Sequence, residues 1–362
     1  MPRVLIDGQI FSIQKRGGIG RVFASLYQEF EKAKFSQSAD TKIFLGVVLS
    51  KFRELPMGQD GKFRIRYGWT GKAKIALCFN WLFLWLQPYQ ILHSTYYFKP
   101  FLYRRKGSKH VVTLHDMIPE DFPSEYPDGN PHLSKLAYLR NADRIVCVSR
   151  YTMSRLEHHH PQLVEKARVI HSGVNFPEFL DKAFERNSIL LYVGKRNGYK
   201  DFNTFLNSLP LILENHSQVS IVAVGSDPFS KSEQELISRL GLSEKVIQRQ
   251  LSDDELQQAY SNCLAVVVTS HVEGFGLPIL EAMASGALVV ATDIPVFREI
   301  AGNAYISFTP GDSEELSQRI LSILKNADMF EANRVVGRKI AKEYSWEKTA
   351  KELLSLYEEL LI

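Results

Sequence analysis

Short apolar runs alternate with amphipathic stretches along this chain, and the rhythm starts afresh at Ser188. That is the pattern of a parallel sheet covered by helices, met twice. In the first half the spacing predicts strands at Val4–Ile6, Ile43–Val48, Ile91–Ser94, Val111–Leu114 and Ile145–Ser149. Helices are expected after the glycines near Gly20 and after Ser149, and VIHSGVNFPEF reads as a last strand, a glycine turn and a linker. In the second half the strand candidates are ILLYVG, VSIVAVG, EKVIQRQ, CLAVVVTS, LVVATD and AYISF. A length of 362 residues suits two domains of moderate size. The expected organisation is α/β, with doubly wound domains over residues 1–172 and 173–344 and a closing helix over 345–362. That helix is amphipathic, with Trp346, Leu353, Leu354, Tyr357 and Leu360 on its apolar side. In open α/β sheets ligands bind beyond the carboxyl ends of the strands, so the loops there are where chemistry is sought.

Several classes are set aside at once. Cys78, Cys147 and Cys263 are far apart in apolar surroundings, without metal-ligand spacing, and read as reduced core thiols. No metal site is expected. The chain opens on MPRVLIDG, a strand followed by an acid, with no apolar leader, so a cytoplasmic protein is expected. The most lipophilic stretch, Ile75 to Leu86, has 12 residues and contains Asn80, where a membrane span needs about 20 apolar residues. The charge is uneven. Residues 1–172 hold 26 Lys and Arg against 14 Asp and Glu, and the remainder 18 against 26, which suggests different partners for the two halves.

Four segments carry chemistry. EGFGLPILE, residues 273–281, follows the strand VVVTSH. Gly274 and Gly276 permit tight backbone, and Pro278 suits a first helical turn. Such a turn offers free N–H groups and a positive helix end to an anion. Glu281 falls one helical turn further in, able to accept from sugar or ribose hydroxyls. The bland alternative is a dipole-complementing Glu273 and a solvated Glu281. In YVGKRNGYKDF, residues 192–202, Gly194 ends a strand, and Lys195, Arg196 and Lys200 crowd the loop. Fixed cations there would stabilise a departing diphosphate without a metal. QKRGGIGRV, residues 14–22, fails the dinucleotide fingerprint because Phe23 stands where a small residue is needed. What survives is a glycine loop approaching a phosphate or an acceptor. VVTLHDMIPEDFP, residues 111–123, ends a strand in His115 and Asp116, either acid/base machinery or a histidine hydrogen-bonded at a strand end.

Together these segments resemble the retaining glycosyltransferases of family four, of bacterial surface-polysaccharide type, over nearly the whole chain. The resemblance rests on the order and spacing of GGIGR, HSTYY (93–97), TLHD (113–116), ADRIVCVS (142–149), VIHSGVN (169–175), YVGKRNGYKDF, EGFGLPILEAMASG and SWEKTA. It implies the GT-B fold, two Rossmann-like domains facing a central cleft, with the closing helix crossing back to the first. It implies that Glu281 holds the nucleotide ribose, that Glu273 contacts the donor sugar, and that the backbone around Phe275, Gly276 and Leu277 cradles sugar and phosphate. Arg196 and Lys200 would sit on the diphosphate behind Gly194, His115 would contact the donor sugar, and Gly18 would approach phosphates or acceptor. The chain departs from the family in VIQRQLSDDEL, which lacks a glycine beside the nucleobase loop, and in the spacer Asn197-Gly198-Tyr199.

The family implies retention at the anomeric carbon, a GDP- or UDP-linked hexose as donor, mannose among the candidates, and no cofactor or metal. A glycan or lipid-linked glycan acceptor would meet the basic first half. There KFRIRYGWTGKAK (62–74), IALCFNWLFLWL (75–86) and FLYRRKGSK (101–109) join cations to aromatics, as a protein resting on an anionic membrane surface does. A core helix in an ordinary basic domain accounts for them equally well. The rivals are a sugar-nucleotide epimerase, a phosphorylase, and a nucleic-acid-binding protein. The last lacks a recognisable recognition module, so no nucleic acid is expected.

Overall fold

The computed structural model describes residues 3–13, 17–35, 42–45, 82, 86, 88–98, 104–126, 129–130, 132–177, 187–225 and 228–362. By contacts the chain divides into two compact units, Met1–Gly173 with Trp346–Ile362, and Val174–Ser345.

In unit 1 the elements run β1 (Arg3–Ile6), α1 (Gln9–Ile13), α2 (Gly18–Phe35), β2 (Lys42–Leu45), β3 (Ile91–Ser94), β4 (Lys109–Leu114), α3 (Ile118–Asp121), α4 (Lys135–Asn141), β5 (Arg144–Cys147), α5 (Arg150–His159) and β6 (Ala167–Val169). The strands pair in the order β2-β1-β3-β4-β5-β6, all parallel. β3 is buried along its whole length, as a strand covered on both faces must be. Helix α2 buries Phe23, Leu26, Tyr27 and Phe30, the i, i+3, i+4, i+7 stripe of an amphipathic helix. Two expectations need correction here. Gly18 and Gly20 form the first turn of α2 rather than a loop ahead of it. Burial of that stripe outweighs the roughly 1 kcal/mol by which each glycine disfavours helix. β5 stops at Cys147 instead of Ser149, because Ser149 is the N-cap of α5 and its Oγ accepts from the Thr152 N–H at 2.9 Å. Of the expected strand at Ile43–Val48, residues 46–48 lie outside the described residues.

In unit 2 follow β7 (Ile189–Val193), α6 (Phe202–Asn215), β8 (Ser220–Val224), α7 (Lys231–Arg239), β9 (Val246–Arg249), α8 (Asp253–Asn262), β10 (Ala265–Val268), α9 (Leu277–Ala284), β11 (Val289–Thr292), α10 (Pro295–Ala301), β12 (Ile306–Phe308), α11 (Ser313–Lys325) and α12 (Glu331–Ala341). The parallel order is β12-β11-β10-β7-β8-β9. Leu190 and Tyr192 of β7 point into a core shared with Phe205 and Leu209 of α6 and with Leu316 and Ile320 of α11. Helices α7 and α8 open on capping boxes, Ser230 with Glu233 and Ser252 with Glu255.

The closing helix, α13 (Trp346–Glu359), belongs to unit 1 and packs on α2. It buries Leu353, Leu356 and Tyr357. Tyr357 Oη lies 2.5 Å from His93 Nδ1, and the Thr349 hydroxyl donates to the His171 carbonyl at 2.8 Å. Its start presses so closely on Gly173 that a Cβ there would lie 2.5 Å from the Trp346 nitrogen.

Both sheets have a point where the strand order reverses, between β1 and β3 in unit 1 and between β7 and β10 in unit 2. The crevice outside the carboxyl ends of such neighbours is where open α/β sheets bind ligands.

Candidate active site

At the crevice of unit 2, the loop after β7 is sewn to the loop after β10. Gly194 turns the chain off β7 at φ +128°, a conformation that suits glycine, and its N–H donates to the Val224 carbonyl at 3.0 Å. The Tyr192 hydroxyl holds the Lys195 carbonyl at 2.9 Å, and the Thr269 hydroxyl holds that of Lys200 at 2.7 Å. His271 N–H donates to the Tyr199 carbonyl at 2.8 Å, and its ring Nε2 lies 2.8 Å from Asp201 Oδ2. Asp201 adopts φ +45° and caps α6. This bracing brings Lys200 Nζ to 2.5 Å from Glu273 Oε1, with side-chain exposures of 19% and 13%. The Ser270 hydroxyl donates to the same Oε1 at 2.8 Å. No hydrogen bond from a described residue reaches the other oxygen of Glu273.

Gly276 is the N-cap of α9, at φ +101° and with no side-chain cap. The Leu277 N–H therefore lies in an uncapped first turn at a positive helix end, close in sequence to Glu273. Phe275 is buried and meets the edge of Tyr344, ring centroids 6.0 Å apart, so its side chain serves packing while its backbone forms the turn. Glu281 lies one turn into α9 and accepts from the Tyr260 hydroxyl of α8 at 3.1 Å.

Lys200, Glu273, Gly276 and Leu277 thus sit on two braced loops. Arg196 does not join them. Only 8% of it is exposed, and its Nε donates to Glu233 Oε1 at 2.7 Å. Burial would raise the Glu233 carboxyl, but hydrogen bonds from Arg196 and Ser230 outweigh it and hold the group below its usual value.

In unit 1, His115 sits just past β4, buried, with Nε2 3.1 Å from the Thr95 carbonyl. A carbonyl only accepts, so Nε2 carries the proton and Nδ1 is the acceptor. Asp116 does not pair with it; its Oδ1 accepts from the Ile118 N–H at 3.1 Å at the start of α3. Lys135, 1% exposed, ties this loop down through the Asp116 carbonyl at 3.0 Å and Glu120 at 2.8 Å. Gly18 is exposed at the first residue of α2, the helix that presents Phe23 to the His115 ring at 6.1 Å between centroids.

Sequence reasoning passed over Asp7. Its carboxylate sits at the crevice of unit 1 and accepts from Thr95 Oγ1 at 2.6 Å, Thr95 N–H at 3.0 Å and Gln9 Nε2 at 2.5 Å. The only signal was an acid directly after the first strand. Tyr260 carried none, since it meets Glu281 only through the packing of α8 on α9, whereas Ser270 stands three residues before the Glu273 it serves.

Burial pushes His93 down to about 3 and His110 and His115 to about 4, from the ordinary 6.5. The unfolded chain takes up these protons first, so unit 1 should lose stability as pH falls from 6.5 toward 4. Asp7, raised by burial, acts with the opposite sign, its contribution being lost as pH rises through its folded value. Urea midpoints between pH 4.5 and 7 should fall less on acidification in His93→Asn than in wild type; the same pH dependence in both would refute the assignment.

The segments 62–74 and 75–86 lie outside the described residues, apart from exposed Leu82 and Leu86. In 101–109, Arg104 lies 2.5 Å and Lys109 3.9 Å from Asp143, so two of those cations face a carboxylate. Among the described residues no helix is long and apolar enough to cross a membrane, and no cluster of His, Cys, Asp or Glu is placed to hold a metal.

A family model described as glycosyl transferases group 1 matches residues 178–343, and one described as glycosyltransferase family 4 matches residues 16–176. The chain belongs to the family-four glycosyltransferases. The O-antigen chain mannosyltransferase RfbU of Salmonella typhimurium is 28% identical over 216 residues, 59% of this chain and 60% of that protein. The alignment thus spans three fifths of that relative's length. A phosphatidyl-myo-inositol mannosyltransferase of Mycobacterium leprae is 27% identical over 44% of this chain and 43% of its own. Among solved structures, sucrose-phosphate synthase from Thermosynechococcus elongatus superposes with a TM-score of 0.77 at 19% identity, covering 100% of this chain and 99% of that one. Anabaena HepE in complex with UDP-glucose gives 0.71 at 17% identity, over 98% and 99%. The fold of this family-four glycosyltransferase is therefore GT-B, two parallel-sheet α/β domains.

Proposed function

We propose that the protein transfers a hexose from a nucleoside-diphosphate sugar to a glycan or lipid-linked glycan, with retention at the anomeric carbon. The observation that carries this is the meeting of Lys200 and Glu273 at the crevice of unit 2, beside the uncapped start of α9. An ammonium and a positive helix end suit a diphosphate, and a carboxylate with one oxygen uncommitted among the described residues suits a sugar hydroxyl. Glu281 is assigned the ribose. His115, neutral, is assigned a sugar hydroxyl, and Gly18 a phosphate or acceptor contact. Mannose is the sugar we favour, on the names of the relatives, and the acceptor is assigned to the basic unit 1, resting on an anionic membrane face.

In the step we assign, the bond from the anomeric carbon to the phosphate oxygen breaks and its electron pair stays on the diphosphate. The acceptor oxygen bonds to that carbon from the same face, and its proton passes to the departing phosphate. Lys200 and the α9 amides stabilise the charge that gathers there. No enzyme carboxylate is assigned as nucleophile, so inverted product or a trapped glycosyl-enzyme would overturn the scheme.

The test is thermal unfolding with UDP, GDP, ADP and their common sugars, on wild type and Glu281→Ala. A nucleotide at one hundred times its dissociation constant adds about 2.7 kcal/mol to folding. Stabilisation by GDP or UDP, weakened in Glu281→Ala, is the expected result and names the base. A folded protein stabilised by no nucleotide would sink the proposal.

A further inference from the structure

The guanidinium of Arg196 has five N–H donors, and at least four hydrogen bonds engage it inside unit 2. Nε and Nη2 reach the two oxygens of Glu233 at 2.7 and 3.4 Å, a two-point grip on one carboxylate. Nη1 donates to the Gly225 carbonyl at 3.2 Å, and Nη2 also to the Pro228 carbonyl at 3.2 Å. The cation lies 4.9 Å from the centre of the Phe229 ring and 5.8 Å from that of Phe202. The carboxylate it grips is engaged on its far side as well: Glu233 Oε2 accepts from the Ser230 N–H at 2.6 Å, one half of the capping box that starts α7. The loop that Arg196 clamps begins at Gly225, at φ +85°, whose backbone lies against Gly194. Two loops at the carboxyl end of the sheet, after β7 and after β8, are thereby joined through one side chain.

We infer that Arg196 is a positioning residue of the donor site, holding the β8–α7 turn through Glu233, and not a cation that reaches the diphosphate. The inference rests on the donor-site reading above. Turning toward an anion would strip Arg196 of these partners and leave the Glu233 carboxylate uncompensated in a half-buried setting. Lysine could not replace it, since an ammonium lacks the planar fork that bridges a carboxylate and two carbonyls.

The experiment measures kcat, donor KM and the salt dependence of nucleotide affinity for wild type, Arg196→Met, Arg196→Lys, Glu233→Gln and the double variant Arg196→Met/Glu233→Gln. Glu233→Gln keeps the capping box, which accepts glutamine, so it should fold while losing the ionic grip. The expected result is a rise of about tenfold in donor KM, with kcat little changed, in all three single variants. The double variant should be no worse than either parent, because both remove one interaction. The slope of affinity against salt should stay that of wild type. A silent or tighter-binding Glu233→Gln, beside an Arg196→Met that loses binding and flattens the salt slope, would overturn the inference alone. A wild type that binds no nucleotide would overturn it together with the donor-site reading.

Discussion

Replacing Lys200 with methionine is expected to lower kcat/KM for the nucleotide sugar by about a hundredfold to a thousandfold, the usual loss when one preorganised donor to developing charge is removed. The ammonium is held in advance. Tyr192 and Thr269 hold its own carbonyl, Tyr192 also holds that of Lys195, and Glu273 fixes its Nζ. A charge held this way needs no reorganisation as the sugar–phosphate bond breaks. Methionine keeps the length and packing of the stem and removes only the charge. The control is the double variant Lys200→Met/Glu273→Gln. Lys200→Met alone strands a mostly buried carboxylate and should lower the urea midpoint, whereas the double variant should recover part of that stability without recovering activity. Lys200→Met with kcat/KM within fivefold of wild type would exclude Lys200 from the chemistry. Activity recovered in the double variant would mean that the single variant suffered from its orphaned acid.

Position along the chain made some of this site legible and left some of it dark. Lys200 and Glu273 stand 73 residues apart, but each follows a buried strand, and the first strand of a doubly wound domain lies beside the one that begins its second half. Both loops could therefore be assigned to one crevice from strand rhythm alone. Arg196 could not be placed in the same way. It follows the same strand as Lys200, and its orientation is decided by Glu233, an acid whose sequence neighbourhood reports only a helix start. A residue's location is set by the fold, while its direction is set by the strongest partner within reach. The same limit hid Asp7, whose four donors come from Gln9 and Thr95. At Gly18 the failure was of another kind. Local propensity argued for a loop, and burial of the α2 stripe carried the helix back through both glycines.

Gly276→Ala should lower the stability of unit 2 by about 3 kcal/mol, from the strain of a positive φ on an alanine plus overpacking. The residue sits at φ +101°, and an added Cβ would lie 2.9 Å from Phe297 Cε1 and 3.0 Å from Ile300 Cδ1. Neither neighbour can give way, since both are fully buried on α10. For a unit of this size the loss corresponds to a fall in Tm of about 6–12 °C. Gly286→Ala separates the two causes. That glycine is also at positive φ, +72°, but nothing lies within 4 Å of its would-be Cβ, so it should show the backbone strain alone. A smaller side chain opposite the clash, as in Gly276→Ala/Phe297→Leu, should return part of the stability. It should not return nucleotide binding, because the alanine still disturbs the turn that aims the first amides of α9. If Gly276→Ala unfolded no more readily than Gly286→Ala, the close approach of α10 to this turn would be wrong. If it lost stability but bound nucleotide as tightly as wild type, the start of α9 would have no part in holding the diphosphate.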